Sequence, residues 1–119
     1  MPYSVLVVDD DASFRQLATR MLRSWGYAVV GEAGTVAEAL ERADELRPGA
    51  ALVDIGLPDG DGFEVALRFA ELPWRPRVVL ISSDSDAANE GLARRIGAAG
   101  FVPKDELLGP SLRLLISGA

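Results

Sequence analysis

A chain of 119 residues with no histidine and no cysteine must draw its chemistry from carboxylates, hydroxyls or amines. The absences exclude Ser-His-Asp triads, imidazole or thiolate metal sites, disulfide frameworks and a phosphohistidine carrier role for this chain. Four places stand out. Asp9-Asp10-Asp11 follows an apolar run, Asp54 lies inside Leu52-Val53-Asp54-Ile55, Ser82-Ser83 follows Val78-Val79-Leu80-Ile81, and Lys104 is the single lysine among twelve basic residues. Each has a plain reading by itself, because Asp and Ser cap helices and most lysines are solvated surface charges. Asp11 reads as such a cap. Asp54, flanked by apolar residues on both sides, does not. Three carboxylates brought together cannot all stay ionised cheaply without a cation, and an oxygen-only ligand set suits a hard ion such as Mg²⁺. A lysine beside them could neutralise an incoming phosphoryl oxygen as a compact point charge.

These residues converge only if the right elements carry them. Ser4-Val5-Leu6-Val7-Val8, Tyr27-Ala28-Val29-Val30, Ala50-Ala51-Leu52-Val53, Val78–Ile81 and Gly100-Phe101-Val102 read as five short, buried strands. Helical patterns alternate with them. Phe14, Leu17, Ala18, Met21, Leu22 and Trp25 form one apolar face, closed by Gly26. Thr35-Val36-Ala37-Glu38 matches a capping box for a second helix that buries Val36, Ala39, Leu40 and Ala43 before Pro48. Residues 56–62 read as a loop, followed by a third helix with Phe63, Ala66, Leu67 and Ala70 inward. A fourth helix is expected from Asp86, burying Leu92 and Ile96, and a short fifth from Pro110, with Leu112, Leu115 and Ile116 inward. Strands alternating with helices call for a doubly wound parallel sheet, an α/β fold of one domain over residues 1–119. In such sheets the reactive crevice lies beyond the carboxyl ends of the central strands. All four chemical segments end or follow a strand.

At these positions the chain resembles the receiver domain of two-component response regulators. The resemblance rests on Val7-Val8-Asp9-Asp10-Asp11, on the stretch from Val53-Asp54-Ile55-Gly56 to Gly62-Phe63-Glu64, on Leu80-Ile81-Ser82-Ser83 and on Gly97 to Lys104, in this order. It spans essentially the whole chain. The Val30-Gly31-Glu32-Ala33 stretch is similar to receivers that precede a LuxR-type helix-turn-helix. The resemblance implies a flavodoxin-like five-stranded sheet of order 2-1-3-4-5 with five helices. It implies Asp54 as the phosphoacceptor that becomes an aspartyl phosphate. Mg²⁺ would be held by Asp10 and Asp54, by Asp9 through water, and by the Gly56 carbonyl. Ser82 and Lys104 would contact phosphoryl oxygens, and Ser82 with Phe101 would form the switch. A sensor histidine kinase or histidine phosphotransfer protein would supply the phosphoryl group. The fourth helix, fifth strand and fifth helix, with Arg94, Arg95, Phe101 and Arg113, would pass the signal to an effector or to a second copy. The sequence departs from the family pattern after the lysine, where Asp105 stands in place of a common proline, so no cis bond is expected there.

Composition sets the remaining bounds. The chain is 49% apolar and 25% charged with a net charge of −6, which fits a folded domain and disfavours a direct grip on nucleic acid. Its apolar runs are too short to span a bilayer, and cysteine-free composition suits a cytoplasmic setting. Two other readings compete with a phosphorylation switch: an unphosphorylated interaction module, and a Mg²⁺-dependent aspartate-nucleophile phosphohydrolase. Such hydrolases place a second acid two residues past the nucleophile, where this chain has Gly56. A flavin or nucleotide binder would need a phosphate cradle where Asp9-Asp10-Asp11 stands.

Overall fold

The computed structural model describes residues 4–83 and 95–117. Strand β1 (Ser4–Val8) leads to α1 (Ala12–Ser24), β2 (Ala28–Ala33) to α2 (Val36–Leu46), and β3 (Ala50–Asp54) to two short strands, β4 (Gly56–Leu57) and β5 (Gly60–Asp61), and then α3 (Gly62–Ala70). After β6 (Arg77–Ser82) and β7 (Gly100–Pro103) come a 3₁₀ turn (Lys104–Glu106) and α4 (Pro110–Ser117). The bulk of the helix expected from Asp86, with Leu92, Arg94 and the neighbouring Asp84, lies outside the described residues.

Five strands form one parallel sheet of order β2-β1-β3-β6-β7. With the small β4-β5 ribbon set aside, this is the expected 2-1-3-4-5. Side chains alternate across the sheet and divide the core in two. Leu6, Val8, Ala51, Val53, Val78, Leu80 and Phe101 pack with α2 and α3 on one face. Val5, Val7, Leu52, Val79, Ile81 and Val102 pack with Ala18 and Leu22 of α1 and Leu112 and Ile116 of α4 on the other. Every residue of β3 is buried. Each fully buried Val or Leu contributes about 1.5–3 kcal/mol, and β3 lies between β1 and β6, each with four buried Val, Leu or Ile residues, so the site rests on the firmly held centre of the sheet.

Local signals end the helices where expected. Asp11 caps α1, its Oδ1 accepting from the N–H groups of Ser13 and Phe14. Gly26 follows α1 at φ +92°, a conformation that disfavours any residue with a Cβ. Thr35 Oγ1 accepts from the Glu38 N–H, while the Glu38 carboxylate reaches Gly34 N rather than Thr35 N, a capping box displaced by one residue.

Four expectations change. Strand β2 runs on to Ala33 instead of ending at Val30, because its pairing with β1 continues to Val8↔Ala33 past an irregularity at Val5/Leu6. The loop expected at residues 56–62 contains the β4-β5 ribbon. In α3 the buried stripe is Val65, Ala66 and Phe69, whereas Leu67 is 49% exposed. Six of the nine residues of α3 are apolar, so hydropathy alone could not select the inward face. Leu17 of α1 is likewise 62% exposed.

Candidate phosphoacceptor site

Strand register alone assembles the site. Val8 lies opposite Val53, so the next residues, Asp9 and Asp54, emerge side by side from adjacent parallel strands. Asp54 pairs with Ile81, which places Ser82 one step further out, and Ser82 pairs with Pro103, the residue before Lys104. Asp9, Asp10, Asp54, Gly56, Ser82 and Lys104 line one open cleft of about 520 Å³ at the carboxyl ends of the strands. Carboxylate oxygens of Asp9, Asp10 and Asp54 come within 4.8 Å of one another. Asp9 is fully buried, Asp54 and Ser82 are nearly so, and Asp10 is exposed.

Lys104 supplies the only basic side chain among these cleft residues. Its Nζ lies 2.7 Å from Asp9 Oδ2 and 3.6 Å from Asp54 Oδ1. Burial pulls the lysine pKa down, but the bond to Asp9 and the charges of Asp54 and Asp9 reverse this, and the ammonium is held above its ordinary value. Asp54 is pushed up to about 6, chiefly by burial and then by the negative charges of Asp9 and Asp10; Lys104 and the Gly56 N–H oppose the rise. Three acids around one ammonium leave the cleft with an excess of negative charge. Asp9 Oδ1 accepts from Asp11 N, and Oδ2, fully buried, is paired with the ammonium at 2.7 Å. Three carboxylates gathered within 4.8 Å, an oxygen-only donor set facing one ammonium, fit a hard divalent cation.

A model of the response regulator receiver domain matches residues 5–109. The chain belongs to the response regulator receiver family. This receiver is 34% identical over 122 residues to the transcriptional regulatory protein PdtaR of Mycobacterium tuberculosis, covering 98% of this chain and 58% of that protein. Among solved structures it is similar to the signal receiver domain of NarL from Mycobacterium tuberculosis, at 39% identity and TM-score 0.80, with 96% of each chain covered. It is also similar to the response regulator domain of Thermotoga maritima CheB, at 30% identity and TM-score 0.79, covering 99% of this chain and 90% of that one. The chain spans about half the length of the curated relatives it matches.

In this receiver the cleft gathers all the carboxylates, the hydroxyl and the lysine that the sequence singled out for chemistry. Asp105 does not turn the lysine outward: Lys104 starts the 3₁₀ turn and still points into the cleft, and no cis peptide bond occurs among the described residues. Phe101 sits away from the cleft, 8% exposed in the core on the α2–α3 face. Arg95 is exposed, and the Arg113 guanidinium lies 5.3 Å from the Trp25 ring centroid, between α4 and the end of α1. No helix among the described residues is long and apolar enough to cross a membrane.

Sequence reasoning missed three supporting residues. Arg15 donates from Nη1 to the Asp9 carbonyl at 2.6 Å and from Nε to Glu32 at 3.0 Å, pinning the chain where the acidic cluster begins. Asp59, expected in a flexible loop, instead accepts from Val36 N at 2.7 Å and Ala37 N at 3.1 Å, tying the phosphoacceptor loop to the start of α2. Asp61 caps α3 through Glu64 N, a signal that was legible in Asp61-Gly62-Phe63-Glu64. Gly62 carries a steric demand of its own. A Cβ there would meet the Asp54 carbonyl oxygen at 2.5 Å, so α3 starts in direct backbone contact with the end of β3.

Proposed function

We propose that Asp54 accepts a phosphoryl group from the phosphohistidine of a sensor kinase or phosphotransfer protein. The observation that carries this reading is one buried carboxylate at a central strand end, with two further acids within 4.8 Å and an ammonium at 3.6 Å. With its pKa near 6, Asp54 is mostly ionised at neutral pH and can act as the nucleophile. Its carboxylate oxygen forms the new O–P bond while the donor's N–P bond breaks, and the departing imidazole keeps the bonding pair. Charge in this transfer spreads over the three phosphoryl oxygens, so positioning and electrostatic stabilisation do most of the catalysis. Lys104, already facing Asp54 Oδ1, meets one such oxygen, and the Ser82 hydroxyl donates to another. Asp9, Asp10, Asp54 and the Gly56 carbonyl are the groups that would hold Mg²⁺, which when bound neutralises part of the carboxylate and phosphoryl charge.

Residues 1–119 are read as one phosphoacceptor domain that turns over no separate substrate. Gly56 favours this over the hydrolase reading, because the place of a leaving-group acid carries no side chain. The downstream effector, and any homodimer formed through β7 and its neighbouring helices, belong to the same proposal, as does a cytoplasmic location. The test is labelling with acetyl phosphate and Mg²⁺, read on a phosphate-affinity gel. Wild type should shift and Asp54→Asn should not. Labelling of Asp54→Asn at the wild-type level would move the acceptor elsewhere.

A further inference from the structure

An ammonium offers three N–H donors on a flexible stem, and two carboxylates account for only part of its surroundings here. The Lys104 Nζ also lies 4.2 Å from the centroid of the Phe14 ring, within the range at which a π face attracts a cation. Phe14 belongs to the first turn of α1, whose start is fixed by Asp11 accepting from Phe14 N. Its ring is partly buried against the α1–α4 core. With Leu17, Met21, Leu107 and Lys104 itself it lines an apolar concavity of about 200 Å³. Exposed Asp105 borders that same concavity and, one residue from the lysine, is a rival anion for the ammonium.

We infer that Phe14 is a positioning residue for Lys104, holding the ammonium over the phosphoacceptor by a cation–π contact. The inference rests on the reading of Asp54 as that acceptor. A carboxylate pairs with the ammonium only while it keeps its charge, and Asp54 loses that role when it becomes an acyl phosphate. The ring face keeps its attraction throughout and has little directional preference. It therefore lets Nζ shift from a carboxylate oxygen to a phosphoryl oxygen without swinging out towards Asp105. Asp105, exposed and next to the lysine, competes for the ammonium from the solvent side, and the ring opposes that pull.

The test replaces Phe14 site-specifically with 4-fluoro-, 3,5-difluoro- and 3,4,5-trifluorophenylalanine, which keep the ring's shape while withdrawing electron density from its face. The acetyl-phosphate labelling rate should fall stepwise, by about three- to tenfold across the series. Phe14→Leu should lose a similar factor and Phe14→Trp should retain the rate. In a Lys104→Ala background the fluorinated series should be flat, because the interaction belongs to the pair. A flat series with Lys104 present, or an equally steep one without it, overturns the inference. The single lysine gives a second readout: its ε-methylene protons should resonate upfield in wild type and lose that displacement in Phe14→Leu. Wild type that takes no label overturns the Asp54 reading instead, and the lysine resonance then decides the ring contact, an undisplaced signal overturning it.

Discussion

Neutralising the phosphoacceptor should stabilise the metal-free protein, and the gain should depend on pH in a defined direction. Folding raises Asp54 from 3.8 to about 6. At 1.36 kcal/mol per pKa unit, this amounts to about 3 kcal/mol against the ionised form in the native state. An acid whose pKa is raised holds its proton in the fold where the unfolded chain has already released it, so stability falls as pH rises through this window. The penalty is absent below about pH 4, develops between about 4 and 6, and is complete above about 7. Asp54→Asn stays neutral throughout and escapes it. Equilibrium urea unfolding of both proteins in EDTA, from pH 5 to 8, should show the variant's advantage growing by about 1.4 kcal/mol and levelling near 3 kcal/mol. At pH 8 the thermal midpoint should be higher by about 10 °C for a domain of this size. Millimolar Mg²⁺ should narrow the gap, since a cation in the acidic cluster relieves the same repulsion. A difference that does not vary with pH, or a variant less stable than wild type at pH 8, would refute the reasoning.

Lys104→Ala should slow acetyl-phosphate labelling by about 10²–10³-fold, as for loss of one preorganised stabilising contact, and Lys104→Arg should rescue it only in part; a wild-type rate in Lys104→Ala would make the lysine a bystander. Asp10→Ala should abolish most of the Mg²⁺-induced rise in thermal midpoint, and an undiminished rise would remove Asp10 from the metal site. Gly62→Ala should cost about 1–3 kcal/mol in urea unfolding and slow labelling as well, because the added methyl must displace the backbone of Asp54 itself. Beryllofluoride with Mg²⁺ should move NMR resonances of Phe101 and the β7 face; changes confined to the cleft would leave Phe101 as ordinary core.

Much of this was legible in the chain because its signals are local. Alternating short apolar runs and capped helical patterns depend on neighbours within a few residues, and they carried the parallel α/β class, while the strand order came from the resemblance to receivers. The strand-end rule then located Asp9, Asp54, Ser82 and Lys104 without any distance. What failed was of a different kind. In α3, apolar residues stand at more positions than the core can cover, so burial of Val65 and Phe69 over Leu67 was decided by which face met β3 and β6.

By itself, then, the sequence determined the fold class, the identity of the reacting groups and the absence of imidazole or thiolate chemistry. These follow from residue types and short-range spacing. Only the tertiary structure decided how those groups feel one another. The pKa of Asp54 is set by burial and by Asp9, 45 residues away in the chain and one strand away in space. Asp59 caps a helix 23 residues before it, and Phe14 meets Lys104 from the other end of the chain. Electrostatics, hydrogen bonds and ring contacts act through space over a few ångströms, and spacing along a chain does not encode which distant residues come that close.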